Sequence, residues 1–237
     1  MKNLKQFINW VFPYKCLICG CEVDQGFTFC PQCFSEITFV DHPICKVCGR
    51  MFESPHDSEI CESCENSNPY FDLARAIFQY NDASKRIVMN IKKKSDNYTA
   101  KICAKMILTR YENIFGEVDY ITPVPSHWTR LLVRGFNPAN IVAYELSKIS
   151  NVKYAHLLKR TRRTDYQRNK SVSERSANVS GAFSRNQRKT NDINCKNIIL
   201  VDDVLTTGST LNECAQTLKS LGANHVSCIT IANTNRR

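Results

Sequence analysis

The sequence predicts an α/β domain with a doubly wound, mostly parallel sheet, preceded by a small module built on two four-cysteine metal sites. Three observations carry this. Four Cys-x-x-Cys pairs crowd the first 64 residues, strand-like and helix-like segments alternate from residue 70 onward, and one all-apolar strand runs straight into two acids and a loop of small hydroxyl residues. At 237 residues the chain has room for one ordinary domain and a small one. The shift in composition places the boundary between 1–69 and 70–237. The first part holds 5 Lys/Arg against 9 Asp/Glu and the second 27 against 13, so the positive surplus lies in the second. A hydrophobic fraction of 43% excludes a disordered chain. No apolar run approaches the roughly 18 residues of a spanning helix. Phe7 to Phe12, behind Lys2 and Lys5, is too short and too interrupted for a signal sequence. A cytoplasmic protein without membrane insertion is expected.

The cysteine pairs are Cys16/Cys19, Cys30/Cys33, Cys45/Cys48 and Cys61/Cys64. In a reducing compartment this pattern binds metal before it forms disulfides. Two residues between thiolates let both sulfurs face one tetrahedral ion, and two such turns close a structural site with Zn–S distances of about 2.3 Å. The segment also repeats: Cys16-Leu17-Ile18-Cys19-Gly20 is echoed by Cys45-Lys46-Val47-Cys48-Gly49, each followed by a second pair. Two structural Zn²⁺ ions in two ribbons in series are expected, although thiolate quartets also hold iron–sulfur clusters. Sequential and interleaved pairing of the ligands both satisfy the count, and sequential pairing is the simpler. Cys21, Cys103, Cys195, Cys214 and Cys228 belong to no pair and read as small buried side chains.

From residue 70 the periodicity predicts a strand over 72–80, a helix over 83–94 with Ile87, Val88 and Ile91 inward, and a helix over 98–115. A buried strand over 118–124 follows, ended by Pro123 and Pro125. A helix over 138–149, a short strand over 198–201, a helix over 210–221 closed by Gly222 and a last strand over 226–231 complete the pattern. Strands alternating with helices argue for a parallel sheet covered on both faces. Ligands in such sheets bind at the carboxyl ends of the strands.

At one such end stand Asp202 and Asp203, then Thr206, Thr207, Gly208, Ser209 and Thr210, then a helix whose Thr210 and Glu213 fit a capping box. Backbone N–H groups at a helix start, joined by hydroxyls, make an anion site suited to one phosphate. The missing glycine spacing and lysine exclude a Walker loop. Carboxylates just ahead of the cradle are placed to accept hydrogen bonds from sugar hydroxyls, so the pattern implies a ribose 5-phosphate.

This segment resembles the phosphoribosyl pyrophosphate (PRPP) motif of type I phosphoribosyltransferases. With the cysteine module ahead of it, the chain from Trp10 onward is similar to the ComF family of competence-associated proteins. The resemblance extends to Pro123-Val124-Pro125 with Arg130 and Arg134, similar to the family's pyrophosphate loop. It also takes in residues between Leu158 and Phe183, at the spacing of a mobile basic loop, and Lys92-Lys93-Lys94 with Asp96. Lys170 departs from it, standing where the family has an apolar residue. The resemblance implies PRPP with Mg²⁺ as ligand, single-stranded DNA and a DNA-uptake or helicase-type protein as partners, and a role in natural transformation. An active transferase passing ribose 5-phosphate to an acceptor is the alternative.

Residues 159 to 189 contain ten Lys/Arg against Asp165 and Glu174 alone. Such a density calls for a polyanion or a diphosphate. In phosphoribosyl transfer the leaving pyrophosphate needs cationic groups and exclusion of water, roles open to Arg130, Arg134, Arg160 and Arg162. Tyr166 and Phe183 are the aromatic side chains of this run that suit base stacking. His127 and Trp128 read as packing residues or as a platform for a base.

Overall fold

A computed structural model describes residues 14–52, 58–93, 97–126, 135–161, 181–187 and 192–234. Among the described residues, the cysteine module holds a small antiparallel pair, β1 (Tyr14–Lys15) and β2 (Glu22–Val23), and the helices α1 (Pro31–Glu36) and α2 (Glu62–Ser67). The repeat seen in the sequence is a repeat of hydrogen bonds. Cys16 N donates to Cys21 O and Gly20 N to Cys16 O, just as Cys45 N donates to Arg50 O and Gly49 N to Cys45 O.

The second part then alternates as expected. β3 (Leu73–Gln79) leads to α3 (Asp82–Lys92), α4 (Asn97–Arg110) and the short α5 (Glu112–Phe115). The start of α3 is fixed by a capping box in which Asn81 Oδ1 accepts from Ser84 N and Ser84 Oγ accepts from Asn81 N. Next come β4 (Tyr120–Pro123), α6 (Pro138–Ser150), β5 (Lys153–Tyr154) and the hairpin of β6 (Leu158–Arg160) with β7 (Phe183–Arg185). β8 (Asn197–Leu205), α7 (Ser209–Ser220) and β9 (His225–Asn233) close the chain.

Five strands form one parallel sheet in the order β3-β9-β8-β4-β5. Side-chain alternation along β8 splits its core between the two faces. Ile199 and Val201 join a cluster with Ile87, Ile107 and Leu146 from α3, α4 and α6. Ile198 and Leu200 join one with Leu211, Cys214 and Leu218 of α7 and with the β6–β7 hairpin. Helices thus cover both faces, the doubly wound arrangement. The strand expected over 198–201 continues to Leu205, because β9 goes on pairing with it through Asp202↔Thr230 and Leu205↔Asn233. Backbone pairing here overrides the low strand propensity of two adjacent acids. Of the unpaired cysteines, Cys103, Cys214 and Cys228 are buried as expected, but Cys21 and Cys195 are exposed.

The cysteine module is stitched to the edge of this sheet. Ala74 N of β3 donates to Val47 O, Gln79 N donates to Thr38 O, and Val40 N donates to Ile77 O. Phe78, fully buried, sits 5.2 Å from the ring of Phe39 and 6.1 Å from that of Phe29. Asn233 Nδ2 reaches Cys48 O and Asn90 Nδ2 reaches Leu17 O. Approach is closest at Gly49, whose φ is +67° and where a Cβ would lie 2.5 Å from Ala74 O.

Gly49→Ala is therefore expected to cost more than the ~1–2 kcal/mol of a left-handed residue alone, because the methyl strikes backbone. Gly20→Ala, at φ +77° in the equivalent turn with nothing within 4 Å of the added carbon, carries the conformational cost only. Thermal unfolding of the two variants should show a clearly larger drop for Gly49→Ala, and equal drops would remove the close-contact account.

Candidate functional site

The eight paired cysteines gather into two quartets, Cys16/Cys19/Cys30/Cys33 and Cys45/Cys48/Cys61/Cys64, each with its sulfurs within 4.8 Å of one another. Pairing is sequential. An all-thiolate donor set in this compass fits tetrahedral Zn²⁺. The electrostatics agree: in the second quartet, side-chain hydrogen bonds from Cys48 and Cys64 hold Cys45 far below the usual thiol range. The same contacts push Cys64 far above it. Thiols this close do not all ionise unless a cation joins them. Among the described residues these are the only clusters of three or more metal-type ligands.

The second site lies where the carboxyl ends of β4 and β8 meet. Pro123 pairs with Val201, and Val124 N donates to Val201 O at 2.8 Å. This brings Pro123, Val124 and Pro125 beside the strand that carries Asp202 and Asp203. Asn137, cap of α6, ties the far end of this loop down, since its Nδ2 donates to Val124 O while its Oδ1 accepts from Ala139 N. Beyond β8 the hydroxyl loop turns at Gly208 (φ +77°) into α7. Thr207 Oγ1 and Ser209 Oγ lie 2.9 Å apart, and Thr234 fastens the loop from behind through Leu205 O and Thr206 O. Thr206 is exposed and Thr207 to Thr210 are half-buried at the helix start, where the first N–H groups have no partner inside the helix.

The capping box expected at Thr210 and Glu213 is not formed. Left-handed Gly208 is itself the cap, Thr210 is the second helical residue, and no side chain caps the helix. Glu213 instead accepts a hydrogen bond from Gly181 N at 2.5 Å. It anchors the returning end of the basic segment to α7. Nothing in the local sequence signals a contact across 32 residues.

Asp202 and Asp203, adjacent on a strand, serve opposite faces. Asp203 Oδ2 lies 2.6 Å from Lys92 Nζ at the end of α3, with both side chains about three-quarters buried. Lys92, first of the three lysines that the family resemblance takes in, is thereby brought to the acid pair. Asp202 shares its surroundings with Arg160 and the buried Cys214 and Cys228. Burial, then the neighbouring Asp203 carboxylate, push it up to about 7, against the opposing pull of Asp203 N–H, Lys92 and Arg160. Arg160 ends β6 with its guanidinium 5.3 Å over the Phe183 ring. Phe183 is 6% exposed and packs in the core, so it offers no face to a base, contrary to the stacking role expected for it. Arg130, Arg134, Arg162, Tyr166, Lys170, His127, Trp128, Lys94 and Asp96 lie outside the described residues.

Comparison with known proteins now bears on this geometry. The phosphoribosyl transferase domain family matches residues 94–237. The chain belongs to that family. A double zinc ribbon domain matches residues 7–65, which makes the order of parts the ComF arrangement. Competence protein F of Haemophilus influenzae is 27% identical over 222 residues, covering 91% of this chain and 95% of its own. Competence protein ComFC of Bacillus subtilis is 27% identical over 236 residues, covering 91% and 93%. The DNA utilization protein YhgH of Escherichia coli is 27% identical over 218 residues, covering 89% and 93%. Lys92, which pairs with Asp203, comes from just ahead of the segment that matches the transferase family.

The raised Asp202 sets a pH dependence. Its folded-state value of about 7 lies above the ordinary 3.8, so between roughly pH 4 and 7 the folded protein holds a proton that the unfolded chain has released. Stability drawn from this group falls as the pH rises through that window. Asp72 and Asp119, both lowered, act below it. Asp202→Asn should flatten the decline, gaining on the parent as melting is followed from pH 4.5 to 7.5. Parallel profiles would contradict the buried-acid account.

Proposed function

We propose that the chain binds PRPP with Mg²⁺ at the joined carboxyl ends of β4 and β8, and handles single-stranded DNA through its basic part during DNA uptake in the cytoplasm. The observation that carries the reading is the convergence, at the carboxyl ends of two neighbouring parallel strands, of a hydroxyl-lined helix start, a proline loop and two acids. A 5-phosphate fits the Thr206–Thr210 turn, where N–H groups and the positive end of α7 face it. Asp202, beside the turn, is placed for the ribose hydroxyls. Asp203 is already paired with Lys92, and the described residues build no oxygen cage of their own. A hydrated Mg²⁺ would come with the diphosphate, whose oxygens are hard donors of the kind it takes. When bound, that ion supplies neutralising charge to the pyrophosphate. Arg160 is positioned to add to it, at the root of the segment whose return is anchored by Glu213. The DNA part rests on the excess of 27 Lys/Arg over 13 Asp/Glu after residue 69 and on the names of the relatives, Competence protein F and ComFC.

PRPP with Mg²⁺ should raise the melting temperature, since a ligand confined to the folded state adds RT ln(1 + [L]/Kd). Asp202→Ala with Asp203→Ala should abolish the increment measured from that variant's own baseline. An undiminished increment would contradict the assignment of the acids. The family membership also favours a second reading, transfer of ribose 5-phosphate to an acceptor, which pyrophosphate release on adding nucleobases or amines would reveal.

DNA contact is tested separately. Affinity for a labelled oligothymidylate should fall with salt, and Arg162→Ala with Arg163→Ala should reduce the slope of log K against log salt by about 1.4, at about 0.7 per phosphate on single strands. Arg160→Ala should instead weaken PRPP and leave the slope nearly unchanged. An unaltered slope in the double variant would count against this segment as the DNA contact.

A further inference from the structure

The first ribbon holds one thiol more than a tetrahedral ion needs. Cys21 Sγ lies 3.3 Å from Cys19 Sγ and also faces Cys30, whose sulfur is 3.8 Å from that of Cys19. Both Cys19 and Cys21 are exposed, whereas Cys16 and Cys33 are buried. The hydrogen-bonded turn explains the placement. Cys16 N donates to the carbonyl of Cys21, which brings position 21 back over the knuckle. In the second ribbon the identical bond, Cys45 N to Arg50 O, brings an arginine there instead. A fifth thiol is therefore peculiar to the first site, and it stands beside the ligand that solvent reaches most easily.

We propose that Cys21 is an interchangeable fourth ligand of the first site, so that zinc is held by Cys16, Cys30 and Cys33 together with either Cys19 or Cys21. The exchange involves no redox step. The Cys21 thiol releases its proton as its sulfur bonds the ion, and the departing Cys19 thiolate takes one up. Three ligands stay fixed throughout, and the two candidates need only a short movement, because their sulfurs are already in contact. Chemical loss of the exposed ligand then leaves the ion in place. The second site, with no such neighbour among the described residues, lacks that reserve. This inference rests on the zinc reading of the quartets and is independent of any role in PRPP or DNA binding.

The test begins with the unaltered chain loaded with zinc and treated with limiting iodoacetamide, with exposed Cys195 as the reactive reference. Native mass spectrometry with peptide mapping should show molecules that keep two ions while carrying, besides any label on Cys195, one label in the first ribbon, on Cys19 in some and on Cys21 in others, and never on both. Label confined to Cys21, or loss of an ion with the first label on Cys19, would overturn the proposal. Among variants, Cys19→Ser and Cys21→Ser should each keep two ions, the double variant one, and Cys48→Ser one. Cys19→Ser falling to one ion would overturn it as well. Fewer than two ions on the unaltered chain would overturn the double zinc ribbon itself, an outcome distinct from the others.

Discussion

A parallel sheet whose outer strand has a sheet neighbour on one side only, and so must be covered on the other, is the constraint around which this chain is organised. β3 is bonded to β9 on one side only, and an uncovered edge presents unpaired N–H and C=O groups that invite association. The cysteine module supplies what the edge lacks. Val47 O and Thr38 O accept from Ala74 and Gln79, and Val40 N donates to Ile77. Among the described residues, the backbone that makes these contacts has little regular structure of its own, two-residue strands and six-residue helices. Segments this short do not hold a shape by helix or sheet cooperativity. Metal ligation is the device that remains, and for structural zinc the binding energy is folding energy. The ribbons thus act as a rigid clip on a domain whose sheet is incomplete without them.

The same sheet positions the ligand site. β4 and β8 lie side by side and point the same way, so the loops leaving their carboxyl ends converge. Extending β8 through Asp202 and Asp203 sends one acid to each face. On one side the charge is met by Lys92 of α3, on the other by Arg160 at the root of the basic segment. Each acid therefore reports on a different layer of the fold, and a change in either layer reaches the site directly. The arrangement also explains why the helix pair α3–α4 belongs with the site although α3 precedes the segment matching the transferase family.

How much of this could be read in advance depended on how local its cause was. The quartets were legible because two-residue spacing between thiols has few other uses, and the hydroxyl loop because a strand, two acids and a glycine stand within a dozen residues. The inward faces of α3 and α4 were legible from periodicity, with Ile87, Ile91 and Ile107 fully buried. What was not legible was set by partners far along the chain. Glu213 looked like a capping residue and is an anchor for Gly181. Phe183 looked available for stacking and is core. Cys21 looked like filler and stands exposed against a metal ligand. Nor does any single stretch announce that residues 38–40 and 47 complete the edge of a sheet whose strand begins at residue 73.

The most direct measurement is hydrogen exchange, residue by residue, before and after zinc is removed with a chelator. The amides of Ala74 and Gln79 donate to carbonyls of the cysteine module, while those of β8 donate within the sheet. If the ribbons complete the sheet, both edge amides should lose their protection on zinc removal while the central amides of Ile199 to Val201 keep theirs. Protection at Ala74 and Gln79 that survives the loss of metal would contradict the account.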